Sequence, residues 1–169
     1  MDVLATKKVA TQLEALLPST ATELPLSHAT QVASLVGLGL LYQGTGHRHM
    51  AEVCLGELGR PPGPELENCI DRESYSLAAG LALGMITFGQ GKNLESGPLA
   101  DLGLPEVLYH HMVGGPRTAL SHRYMFRSPA YQIQEGDTIN IDVTSPGATL
   151  ALGMMFFRTG NESIANWMK

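Results

Sequence analysis

The chain has 169 residues, 44% of them hydrophobic and only 16% charged, with a formal net charge of −5. That length suits one domain, and the acidic balance excludes a global basic field for nucleic acid. Charge this sparse, against about 25% in ordinary soluble domains, implies a subunit that hides much of its surface in an assembly.

The first segment, 1–25, contains MDVLATKKVATQLEALLPS. It lacks the uninterrupted apolar run of a secretory signal and reads as a helical lead-in. Cys54 and Cys69 are too few for a disulfide framework and suit a reducing compartment as small buried apolar residues. No formal charge falls between Glu23 and Arg48, nor from Ser74 to Gly91. The strongly apolar parts of both stretches run to only about 10–14 residues, which favours buried helices over membrane spans.

From residue 26 onward three segments align without gaps: ASLVGLGLLYQGTG (Ala33 to Gly46), AAGLALGMITFGQG (Ala78 to Gly91) and GATLALGMMFFRTG (Gly147 to Gly160). The second and third share Ala79/Ala148, Leu81/Leu150, Ala82/Ala151, Leu83/Leu152, Gly84/Gly153, Met85/Met154, Phe88/Phe157 and Gly91/Gly160. The first joins them at Leu38, Gly39 and Gly46. Gly39 and Gly84 are 45 residues apart and Gly84 and Gly153 are 69 apart. The shorter interval suits a two-helix repeat, and the longer one requires an insertion.

The first unit, 26–70, predicts a helix capped by Ser27 and running from His28 to Gln43, a turn at GTG, and a second helix, RHMAEVCLGEL, stopping at Gly59. The first helix is apolar nearly all round and the second is amphipathic, the pattern of stacked helix pairs. The second unit, 71–112, opens at Asp71 and runs to Phe88. Its second helix is displaced by a loop to PEVLYHHM. Residues 113–144 form the insertion. Its first half carries Arg117, Arg123 and Arg127 without an acid, a loop able to bind an acidic or phosphorylated partner, or simply kept solvated by its charge. Its second half alternates Ile139, Ile141 and Val143 and predicts a short β-ribbon. The third unit, 145–169, opens at Ser145 as cap with Pro146 at the first helical position, and SIANWMK supplies its second helix. The expected class is therefore all-α, a solenoid of helix-turn-helix repeats with a loop or short ribbon inserted.

Catalytic motifs fail on residue identity. A dinucleotide fingerprint from Gly37 and Gly39 needs glycine where Tyr42 stands. A phosphate loop ending at Gly91 and Lys92 needs glycine at Ile86 and Ser or Thr at Asn93. His47, His49, His110 and His111 lack the companions of a metal site, and His122 lies in the arginine-bearing loop. Glu65 and Glu67 read as solvated linker carboxylates, and no nucleophile elbow is present. No catalytic, cofactor-binding or metal residue is assigned. Gly39, Gly84 and Gly153 occupy one repeat position, and small residues inside buried helices let backbones approach closely. Gly46, Gly91 and Gly160 close the turns, where a positive φ is useful.

These units resemble the proteasome/cyclosome repeat. Within that family GLLYQGTGHRHMAEV, GELGRPPGPELE, DRESYSLAAGLALGM, SPAYQIQEGDTINIDVTSPGATLALGMMFF and SIANWM are most similar to the cyclosome branch, the large scaffold subunit of the anaphase-promoting complex. The resemblance implies a non-enzymatic scaffold whose repeats form a helical toroid. It implies no cofactor, a location in nucleus and cytoplasm, and partners among the subunits of a RING-type ubiquitin ligase that controls mitosis. These are the cullin–RING module and the substrate-recognition subunits, with neither nucleic acid nor membrane. A scaffold of the proteasome regulatory particle and, more remotely, a small stand-alone enzyme using the His-rich turn remain alternatives.

Overall fold

A computed structural model describes residues 3–20, 26–60, 71–94, 96–116 and 138–169. Among these are seven α-helices: α1 (Val3–Glu14), α2 (His28–Leu41), α3 (Arg48–Leu58), α4 (Arg72–Ile86), α5 (Leu104–Val113), α6 (Ile141–Met155) and α7 (Glu162–Trp167). The only β pairing among the described residues is an isolated bridge between Pro116 and Thr138. The expected all-α class is the observed one.

Helices α2, α4 and α6 lie side by side as an inner layer, with α4 packed between the other two. The turn after α2 bonds to the end of α4, and the turn after α4 bonds to the end of α6, so the three run parallel. The amphipathic helices form an outer layer, α3 packing on α4 and α5 on α6. The core follows from this arrangement. Leu35, Leu38, Ala79, Ala82, Leu83, Ile86, Ala148, Ala151 and Leu152 come from the inner layer, and Ala51, Cys54, Leu58 and Leu108 from the outer. Helix α4 is apolar nearly all round because it has an inner helix on each side and an outer helix behind.

Helix α1 adds something the sequence reading did not assign. It begins 45 residues before α3 and packs on α2 as α3 packs on α4. The lead-in therefore takes the place of an outer helix, with Leu13 against Gly37.

Local signals set most boundaries. Ser27 accepts a hydrogen bond from the Thr30 amide at 3.2 Å and starts α2. Asp71 precedes α4 without a side-chain cap. One boundary differs from expectation. Helix α6 begins at Ile141, capped by Asn140, which accepts from the Asp142 amide at 3.1 Å. Ser145 and Pro146 lie inside it, and Ile141 and Val143 are helical rather than part of a ribbon. Asn140 with an acid in the first turn is the stronger start signal, and a proline this near an N-terminus removes only one ladder bond. No described helix is long and apolar enough to cross a membrane.

Candidate functional site: the seam between repeat units

The seam between units is built from the inner helices and the turns that end them. The Gly44 and Gly46 amides donate to the carbonyls of Met85 and Ile86 at 2.8 and 2.9 Å. One unit further on, the Gly89 amide donates to Met154 at 3.1 Å. Each turn thus satisfies open carbonyls at the end of the next inner helix, groups that would otherwise require water.

Side-chain volume is excluded along the same seam. A Cβ on Gly39 would stand 2.7 Å from Cα of Ala82 and 2.5 Å from the Met85 methyl. On Gly84 it would stand 2.9 Å from the Met154 sulfur and 3.1 Å from Cα of Ala151. Gly153 faces only the end of the Met168 side chain, at 3.3 Å. The tightest crossing lies elsewhere. A Cβ on Gly80 would overlap the Gly147 carbonyl, and one on Gly147 would lie 2.5 Å from the Ser76 oxygen. Gly80 and Gly147 bring α4 and α6 backbone to backbone. Repeat alignment does not reveal this pair, because Gly80 matches Leu35 and Gly147 matches Ala78.

The turns explain why the units differ. Gly44, Gly89 and Arg158 share one repeat position, and all three hold a left-handed backbone, with φ of +68°, +68° and +58°. For arginine that conformation costs about 1 kcal/mol that glycine avoids. Gly46 and Gly160 add a second left-handed residue, at +60° and +69°. Gly91 does not: contrary to expectation its φ is not positive, and it starts a short 3-10 turn, Gly91–Asn93. It is small for another reason, because a Cβ there would lie 2.5 Å from the Phe156 ring.

In the first and third turns a threonine sits between the left-handed residues. Thr45 Oγ1 donates to the Tyr42 carbonyl at 2.6 Å and accepts from the His47 amide. Thr159 does the same with Phe156 and Asn161. His47 Nδ1 and Asn161 Oδ1 then accept from the Met50 and Ile164 amides, capping α3 and α7. The second unit has Gln90 and Lys92 at these places. Gln90 reaches back to the Gly44 carbonyl at 3.0 Å, and a lysine has no acceptor for a cap. The second helix of that unit is consequently delayed to Leu104.

Polar contacts fix the outer layer to the inner one. Glu57 is 3% exposed. Its carboxylate accepts from Tyr75 Oη at 2.8 Å and from Arg60 Nε and Nη2 at 2.7 and 3.2 Å. A buried carboxylate is tolerable only with such partners. Burial, followed by the Glu57 charge, pushes the Tyr75 hydroxyl above its ordinary pKa, and burial does the same to the Cys54 thiol. Ser76 donates to the Leu58 carbonyl, and Thr144 donates to His111 across α5 and α6. Arg48 forks to Asp101 and to the Pro98 carbonyl, tying α3 to the loop that replaces the immediate second helix.

The histidines are dispersed. His47 caps α3, His49 pairs with Glu14 at 2.9 Å, and His110 contacts the Pro116 carbonyl. Among the described residues no group of three or more His, Cys, Asp or Glu is placed to hold a metal. Arg117, Arg123, Arg127, His122, Glu65, Glu67 and Cys69 lie outside the described residues.

Residues 3–169 match the profile of the APC1 fifth domain. The chain belongs to this family. It is 58% identical over 171 residues to anaphase-promoting complex subunit 1 of Homo sapiens, covering 100% of this chain and 9% of that relative. The Emericella nidulans protein called negative regulator of mitosis is 34% identical over 168 residues, covering 98% of this chain and 7% of the relative. Anaphase-promoting complex subunit 1 of Schizosaccharomyces pombe is 34% identical over 165 residues, with 98% and 10% covered. The chain thus spans a tenth or less of the length of these relatives.

Proposed function

We propose that this APC1 fifth domain is a non-enzymatic scaffold segment of the anaphase-promoting complex, the RING-type ubiquitin ligase that controls mitotic progression. Its repeats hold the platform that joins the cullin–RING module to the substrate-recognition subunits, in nucleus and cytoplasm. The observation that carries this reading is the family match over nearly the whole chain to relatives named for that complex. The seam supports it physically. Turn amides bonded to the next inner helix and glycines that admit backbone contact make a stiff stack, which a platform requires. The arginine-rich stretch 117–127 supplies a candidate contact for an acidic or phosphorylated segment of a partner subunit.

The test is reconstitution with the full-length subunit lacking residues 3–169. Loss of the joint recovery of the cullin–RING and substrate-recognition modules is the expected result. Recovery of both modules at unchanged stoichiometry overturns the proposal.

A further inference from the structure

One rim of the stack combines an unusual backbone with unusual exposure. Arg158 holds a left-handed φ of +58° at the position where the other units use glycine. Its guanidinium lies 5.5 Å from the centre of the Phe157 ring, and that ring packs against Phe88 at 5.1 Å. Phe157 is 49% exposed and Phe88 36%. In a chain of net charge −5, no carboxylate among the described residues pairs with Arg158.

A further unit stacked on α6 would leave this corner open. Gly44 and Gly89 each have a neighbouring unit in place, yet a Cβ on either would meet nothing within 4 Å. This repeat position therefore projects to solvent inside a continuing stack. Phe88 likewise stays a third exposed with Phe157 stacked on it. A guanidinium held over an aromatic ring keeps N–H groups free for a carboxylate, and the two adjoining exposed rings offer apolar surface beside it.

The geometry points to this corner as a docking site for an acidic peptide segment of a partner subunit, one with an Asp or Glu beside a large apolar residue. The carboxylate takes the Arg158 fork, and the apolar side chain covers Phe157 and Phe88. The inference rests on the scaffold reading above, since it presupposes an assembled partner.

The test places a benzophenone photocrosslinker at position 157 of the full-length subunit in the reconstituted ligase. The expected product joins position 157 to a segment of another subunit with an acid within a few residues of the crosslinked site. Arg158→Gly and Arg158→Asn, which both suit a left-handed backbone, lower the yield about tenfold, the loss of one charge-assisted hydrogen bond. They leave the thermal midpoint of the domain unchanged or higher. A crosslink within the same chain, a crosslink to a segment without acids, or a yield indifferent to both variants overturns the proposal. So does loss of the crosslink on phosphatase treatment, which would assign the site to phosphate. Failure of the unmodified subunit to assemble counts against the scaffold reading, whereas loss of the crosslink in an assembled complex reads on the docking site alone.

Discussion

The two seams of the inner layer are closed by different means. Between α2 and α4 the closest approach is a glycine against an alanine backbone and a methionine tip, at Gly39, Ala82 and Met85. Between α4 and α6 it is backbone on backbone, at Gly80 and Gly147. A methionine tip has rotatable bonds and yields to added volume, whereas a carbonyl in a helix does not. The second seam is therefore the less forgiving, although it carries one turn-to-helix hydrogen bond where the first carries two.

The largest effect expected from that comparison is at Gly147. Alanine there places its Cβ 2.5 Å from the Ser76 oxygen, forcing α4 and α6 apart at a cost of about 3 kcal/mol. Chemical denaturation of the domain measures it. A loss below about 1 kcal/mol would show that the crossing adjusts by a small shift and would remove the distinction between the seams. Gly39→Ala tests the other seam. The Met85 methyl can move and Cα of Ala82 cannot, so the expected loss is smaller, about 1–2 kcal/mol. A loss equal to that of Gly147→Ala would mean that the methionine is as fixed as the backbone.

The outer layer sharpens the comparison from another side. At the first junction Tyr75 reaches the buried Glu57 on α3, whereas at the second the polar link across α5 and α6 is Thr144 to a backbone carbonyl. Tyr75→Phe leaves Glu57 with Arg60 and should cost about 1 kcal/mol, the worth of one hydrogen bond. The phenol pKa is higher in the folded chain than in the unfolded one. Its stabilising contribution is therefore complete below the unfolded value near 10 and is lost as the pH rises above it. Stability profiles of the parent and Tyr75→Phe should separate below about pH 10 and converge above it. Parallel profiles through that range would show that Tyr75 does not titrate with unfolding.

The legibility of this molecule follows the same division. The helices and their stacking could be read because repeated glycines and caps recur at fixed offsets in the chain. Gly39 and Gly84 are visible that way, and both stand at backbone contacts. Gly80 and Gly147 were not visible, because the crossing point of two helices depends on their angle and need not fall on a repeat position. The start of α6 differs from expectation because Ser145-Pro146 is a good local cap, but Asn140, five residues earlier, lets the helix gain an extra turn over α5. The delay of α5 was legible as an irregularity, while its cause, Gln90 and Lys92 replacing the threonine and the cap, needed the hydrogen bonds of the other two turns. The docking corner needed the structure: Arg158 aligns with Gly44 and Gly89, but neither its place over Phe157 nor its solvent-facing direction follows from the chain alone.

Gly153 is the position where sequence equivalence and physical equivalence part most clearly. It shares the repeat position of Gly39 and Gly84, so equivalence by alignment assigns it the same intolerance. Its added Cβ would meet only the Met168 methyl, at 3.3 Å, and a terminal methyl can move by a few tenths of an ångström at little cost. Alanine also favours a helix interior by about 0.5–1 kcal/mol over glycine. Gly153→Ala in the domain is therefore expected to be neutral or to stabilise by up to about 0.5 kcal/mol. A loss comparable to Gly39→Ala would show that α6 already holds a backbone neighbour at this point, and that the intolerance belongs to the repeat position itself rather than to the contact each glycine makes.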